Sequence, residues 1–242
     1  TWKDCSFINC TLDNILFRYS TFINCRFTNL AFTNCSIEAC QMANNNGKES
    51  GVFEQVKFEN CELIRSDFNF PVMRQCQFIN NKYSELDFDG SRFYDCQFVG
   101  EMDAVEFRGY SVLANTQWLG VMTRFDPRKY KNPMKNVDFS QAQFRHIGFS
   151  NGISLSNCKF PDNEDGFLIT SPRPVFSRAK LLIENSWTAN DKKRALHLID
   201  TFLYTKNHET MPVIFFYKRP VADTLRGFEE KLFELIKKIS SE

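Results

Sequence analysis

Nine cysteines, three histidines and one strongly basic segment are the side chains with the most chemistry to offer. Paired cysteines bind soft metals, carry redox equivalents or close disulfides. No C-x-x-C pair occurs, and nine is an odd number. With no signal segment at the start, the cysteines read as reduced thiols. His146, His197 and His208 form no H-E-x-x-H motif, and His208-Glu209 stands alone. No constellation for nucleophilic, metal or phosphate chemistry is read. The expectation is a protein that is not an enzyme, with no catalytic, metal or cofactor-binding residue.

The elements that position these residues have an unusual period. Large apolar residues fall at Trp2, Phe7, Leu12, Phe17, Phe22, Phe27, Phe32, Ile37 and Met42, one every five positions. A polar stretch, "ANNNGKESGV", reads as a ten-residue insertion over 43–52. The period resumes at Phe53 and continues through Phe58, Leu63, Phe68, Met73, Phe78, Tyr83, Phe88 and Phe93 to Phe98. Phe107 and Val112 follow, then Phe139, Phe144, Phe149, Leu155 and Phe160, with weaker members at Phe176 and Leu181.

On an α-helix, five residues rotate by about 140°, which scatters such centres around the cylinder. On a straight strand an odd period alternates faces. A chain that turns through a right angle every five residues points every centre inward. Four segments then close a square, and coils stack at about 4.8 Å.

Every cysteine stands two residues before a centre, as Cys5 does before Phe7 and Cys96 before Phe98. Confinement to one phase marks an inward slot for a small apolar side chain, and a thiol behaves as one. Two residues after a centre come Asn9, Asn14, Asn24, Asn29, Asn34, Asn60 and Asn80, with Gly90 and Gly100. Asn and Gly tolerate left-handed backbone, so these are the corners.

The pattern C-x-F-x-N, in "CSFIN", "CRFTN" and "CQFIN", resembles the pentapeptide-repeat proteins. The resemblance is strong over 1–112 and weaker over 137–181. It implies a mainly β fold, a right-handed quadrilateral β-helix, over 1–181. It says little about activity, because the family shares architecture rather than partners.

The repeat fades into "LGVMTRFDPRKYKNPMKN", a second insertion expected over 113–136. Its candidate partner-binding residues are Arg124, Phe125, Arg128, Lys129, Tyr130, Lys131 and Lys135, basic groups interleaved with aromatics. Residues 1–118 hold 10 basic and 15 acidic side chains, and residues 119–242 hold 20 and 14. The whole chain is at +1, so no global pull toward nucleic acid or anionic lipid exists, and no direct nucleic-acid binding is expected. From residue 182 the chain reads as an α-helical C-terminal cap or tail. One helix opens at Thr188 or Asn190, a short one carries Pro212 in its first turn, and a third repeats Val221, Leu225, Phe228, Leu232, Leu235 or Ile236, and Ile239.

The leading functional expectation is a cytoplasmic, non-catalytic module that binds a protein partner through its rigid faces and loops, with homodimerisation through the C-terminal helices as a further possibility. The resemblance supplies an alternative, since some pentapeptide-repeat proteins mimic duplex DNA and occupy bacterial type II topoisomerases. A third reading, prompted by the absent initial Met, is the targeting part of a larger secreted effector or membrane protein. No run approaches the roughly 20 apolar residues of a membrane span; "VIFFY", Val213–Tyr217, is the densest patch.

Overall fold

A computed structural model describes residues 1–44, 51–111, 131–162, 164, 166–205, 213–218 and 223–242. They form two compact units: Thr1–Ile153 with Asn157–Pro161, and Ser154–Ser156 with Asp162–Glu242.

The first unit is the square coil that the period of five requires. Its first face is a seven-stranded parallel sheet running from Trp2–Lys3 through Thr21–Ile23, Gln41–Asn44, Asp67–Phe68, Leu86–Phe88 and Val105–Arg108 to Gly148–Ser150. The second and third faces share one eight-stranded sheet, because strands such as Arg26–Thr33 run through the corner between them. The fourth face stacks Leu16–Arg18, Ser36–Glu38, Glu62–Ile64 and Lys82–Ser84.

Successive coils align centre on centre. Phe7 faces Phe27, and Phe27 faces Phe53. Phe58 faces Phe78, which faces Phe98. Ring separations in these columns are 5.0 Å for Phe7–Phe27, 4.6 Å for Phe27–Phe53, 4.9 Å for Phe58–Phe78 and 4.7 Å for Phe78–Phe98, all with nearly parallel planes. That spacing equals the strand spacing, so the backbone ladder sets the aromatic stack. The corners are where the Asn residues placed them: Asn9, Asn24, Asn34 and Asn60 have φ of 53°, 52°, 53° and 53°. Tyr19, Ala39, Arg65 and Phe70 hold the same left-handed backbone at equivalent corners. The stack imposes the turn even where the residue disfavours it.

At many levels the inward slot offers more than space. A buried carbonyl of the coil below faces it, and an unmet buried acceptor is unfavourable. Cys35, Cys61 and Cys76 aim their thiols at the carbonyls of Leu12, Phe32 and Phe53, at 3.1, 3.3 and 3.4 Å. Ser66, Ser91 and Asn81 fill the same slot and donate to Ile37, Phe68 and Phe58 at 3.1, 2.9 and 3.0 Å. At these levels the slot holds a small donor, whereas Leu30, Val56, Leu86, Val105 and Val137 fill the same phase with apolar side chains alone. Burial pushes the Cys61 thiol up to about 11 and Cys158 up to about 12, and it also raises Cys25 and Cys40. These are packing thiols, far from the thiolate that nucleophilic or redox chemistry requires.

Two centres are additional to the sequence reading. Met102 is fully buried and pairs with Phe144, although it follows Phe98 by four residues. Met134 is fully buried above Phe93, whose carbonyl accepts the N–H of the next residue, Lys135. Val112, expected as a centre, lies outside the described residues. The first insertion is shorter than expected. Ala43 and Asn44 finish a first-face strand, the Gly51 carbonyl accepts from Val72, and Val52 begins a second-face strand. Only residues 45–50 are additional to the coil, and they lie outside the described residues.

Among the described residues the second unit holds three helices, α1 (Pro172–Ser186), α2 (Ala189–Thr205) and α3 (Asp223–Ser240). It also holds an antiparallel pair, Gly166–Thr170 with Val213–Tyr217. Several expectations are corrected here. Phe176 and Leu181 are not repeat centres but α1 residues, one fully buried and the other exposed, and the boundary expected after 181 falls inside α1. The segment after Pro212 is a strand rather than a short helix. "VIFFY" is too short for a helix, and its β-branched and aromatic side chains suit a paired strand. The third helix is formed over Asp223–Ser240, with Leu232, Ile236 and Ile239 buried; Val221, read as its first apolar position, lies outside the described residues.

Candidate partner-binding edge

Each coil passes from the first face to the second around one edge. At most levels that passage takes five residues, as from Phe22 to Phe27 or Phe88 to Phe93. Among the described levels it is longer by more than one residue at two, from Met42 to Phe53 and from Phe107 to Met134. Both insertions therefore leave the β-helix from the same edge. Their exits are separated by three rungs of the first-face sheet, about 14 Å at roughly 4.8 Å per rung.

The second insertion has built feet. Gly109 donates its N–H to Ser150 at 2.9 Å, and its carbonyl accepts from Asn132 at 2.8 Å. The Asn132 side chain occupies the inward slot. Its Oδ1 accepts from the Phe93 and Met134 N–H groups at 3.2 and 3.1 Å, and its Nδ2 donates to the Arg108 carbonyl at 3.3 Å. Ser111 donates to Asp89 Oδ2 at 2.6 Å.

Of the expected binding residues, Lys131 and Lys135 are exposed beside this edge, with Lys135 bridged to Tyr94. Arg124, Phe125, Arg128, Lys129 and Tyr130 lie outside the described residues. The sequence reading missed Arg74, Arg92 and Tyr94, which share the second face with Lys135. The signal was available: Arg74 and Tyr94 are one twenty-residue turn apart and both follow a centre.

The first face, on the other side of the edge, is acidic. Asp67 and Asp87 are register neighbours, followed by Glu106, with Asp89 alongside. Arg108 holds this group together, with Nη2 at 2.8 Å from Asp87 Oδ2 and its other nitrogens at 3.7 Å from Asp89 and Glu106. Burial, then the charge of Asp87, raises the Asp67 carboxyl above its ordinary value. A carboxyl with a raised folded-state value favours folding when protonated, and that contribution is lost as pH climbs through the raised value. Asp67→Asn is therefore expected to raise the urea midpoint at pH 7, with the gain shrinking toward pH 3; urea titrations at the two pH values check it.

The pentad Gly148-Phe149-Ser150-Asn151-Gly152 matches the serine-nucleophile pattern G-x-S-x-G, against the expectation that no such constellation is present. The structure gives it another meaning. Phe149 is a buried centre, Asn151 is a corner with φ 52°, and Ser150 donates to Glu106. No strand-to-helix elbow is formed. His146 is an exposed corner with φ 46°, its Nδ1 2.8 Å from Asp103 Oδ1. Among the described residues no cluster of three or more potential ligands could hold a metal ion, and no helix is long and apolar enough to cross a membrane.

Stacked parallel ladders, centres five residues apart and left-handed corners define the first unit as a quadrilateral β-helix, the fold of pentapeptide-repeat proteins. Among solved structures, the chain is similar to QnrB1, described as a plasmid-mediated fluoroquinolone resistance protein, at 11% identity over 65% of this chain and 87% of that one, with a TM-score of 0.30. It is also similar to HetL, a pentapeptide-repeat protein involved in heterocyst differentiation regulation in a Nostoc cyanobacterium, at 8% identity over 64% of this chain and 91% of that one, with a TM-score of 0.14. No family model and no curated protein matches the chain.

Proposed function

We propose that this chain is a non-catalytic interaction module that binds a protein partner at the edge between its first and second faces. The observation that carries this reading is that both insertions leave the scaffold at that one edge, since loops on a rigid framework are where recognition concentrates. Among the described residues the hydroxyls that meet a carboxylate, Ser150 on Glu106 and Ser111 on Asp89, are buried within the coil, which supports a non-catalytic reading. Removing 45–50 restores the ordinary step between coils, and the chain is expected to keep its far-UV spectrum while losing partner recovery in affinity capture. Replacing 113–130 with a short linker is expected to do the same. If recovery of an identified partner survives both changes, the edge is not the binding surface.

The topoisomerase alternative needs a long acidic surface. Here the acids of the first face are drawn together by Arg108 and border a basic face, which favours the general module over a duplex mimic.

A further inference from the structure

Basic side chains of the β-helix are, as a rule, neutralised by a neighbouring coil. Arg18 and Arg65 both reach Glu38, Lys82 reaches Glu62, Arg108 reaches Asp87 and Arg145 reaches Glu101. The second face breaks this rule. Arg26, Arg74 and Lys135 lie on it, with Lys131 at its edge; all four are exposed, and none has an ion-pair partner among the described residues. Arg74 stacks over the Tyr94 ring at 5.5 Å, which steadies the guanidinium and leaves its outer donors to solvent. One acid shares the face: Glu54 stands in register with Arg74, with no ion pair between them among the described residues, so the four basic groups outnumber it; Asp95, at the adjoining corner, already accepts from Asn136 Nδ2 at 2.9 Å.

We infer that the second face docks an acidic segment of a protein, whose carboxylates supply the counter-charges that the neighbouring coils supply elsewhere. This rests on the reading that the adjoining edge binds a protein, and it adds the chemistry of the partner. A carboxylate matches the two-pronged edge of the stacked Arg74 guanidinium. A duplex or an anionic bilayer is broader than one face. Either would reach the shared edge along its length, where the first-face acids Asp67, Asp87, Asp89 and Glu106 outnumber Arg108 and repel it. An extended acidic peptide lies on the second face alone, and the first-face acids confine it there.

The probe is a fluorescein-labelled glutamate peptide of about twelve residues, titrated with the full chain at low ionic strength, where surface charge is least screened. Duplex DNA of similar charge and phosphatidylserine vesicles form parallel arms. Saturable peptide binding is expected, weakened at least about tenfold by Arg74→Glu with Lys135→Glu and abolished near 0.5 M salt. Arg18→Glu with Arg145→Glu, which makes the same change in net charge on the fourth face, is expected to weaken it less than about threefold. The inference is overturned by no peptide binding, by equal loss in both double variants, or by tighter binding of DNA or vesicles than of peptide. The two readings fail separately. Loop changes that abolish partner capture while the peptide does not bind sink only the acidic docking. Peptide binding alongside undiminished capture by the loop variants sinks the edge.

Discussion

Replacing Phe78 with alanine is expected to destabilise the β-helix by about 3–5 kcal/mol, the range for removing a fully buried phenylalanine. Phe78 is wholly inaccessible to solvent. Its ring lies between Phe58 at 4.9 Å and Phe98 at 4.7 Å, parallel to both within 9°, and edge-on to Phe88 at 5.7 Å. Three flanking rings lose a partner at once, and the hydrogen-bonded ladder holds the coils too rigidly for the gap to close. In a solenoid each coil touches only its neighbours, so a defect at mid-stack weakens the coupling of everything on either side. Urea titration followed by far-UV circular dichroism is expected to show a lower midpoint and a less steep transition. Phe7→Ala, in the half-exposed first coil, is expected to lose much less. A loss below about 1 kcal/mol for Phe78→Ala would mean that the aromatic columns are not the core.

The columns were legible in the sequence because a period of five has one compact solution, and because Asn corners and Cys slots kept phase with it independently. What was lost shows how much the reading depended on counting. Met102 follows Phe98 by four residues, made possible by Gly100 with φ 94°, and a strict period of five steps over it. With that centre missing, the count of four faces per coil broke at Phe98. The second insertion could then no longer be assigned to the same edge as the first. The donor role of the slot was hidden by cysteine, which is both small and weakly polar; Ser66, Asn81 and Ser91 reveal it only when the carbonyls they reach are known. Phe176 and Leu181 misled because two apolar residues five apart extend the period by coincidence, while the helix signal of Pro172 at the first turn was passed over. The candidate site was legible only as the basic segment, since Arg74, Arg92 and Tyr94 join it through stacking rather than through sequence proximity.

The second large effect is expected at the foot of the long insertion. Gly109 sits two residues after Phe107, at a corner, but its φ is not left-handed; it is needed for room. A β-carbon there would lie 2.3 Å from the Ile153 nitrogen, 2.5 Å from the Asn151 oxygen and 2.6 Å from the Gly152 carbon. All three are backbone atoms of the next turn, so no side chain can swing aside. The same residue donates to Ser150 and accepts from Asn132, so relief by moving Gly109 breaks the clasp of the insertion, and relief by moving the turn breaks the first-face ladder. Overpacking ordinarily costs about 1–3 kcal/mol where side chains can yield, and Gly109→Ala is expected at or above the upper end. Faster amide hydrogen exchange is expected first in Phe149–Ile153 and at Asn132, while the coils before Phe88 stay protected. Gly152→Ala provides the contrast: its β-carbon would meet only the Tyr110 ring, at 3.6 Å, so its loss comes from a φ of 67° and stays near 1 kcal/mol. If Gly109→Ala proves no worse than Gly152→Ala, the two turns are not in the close backbone contact on which the anchoring of the second insertion depends.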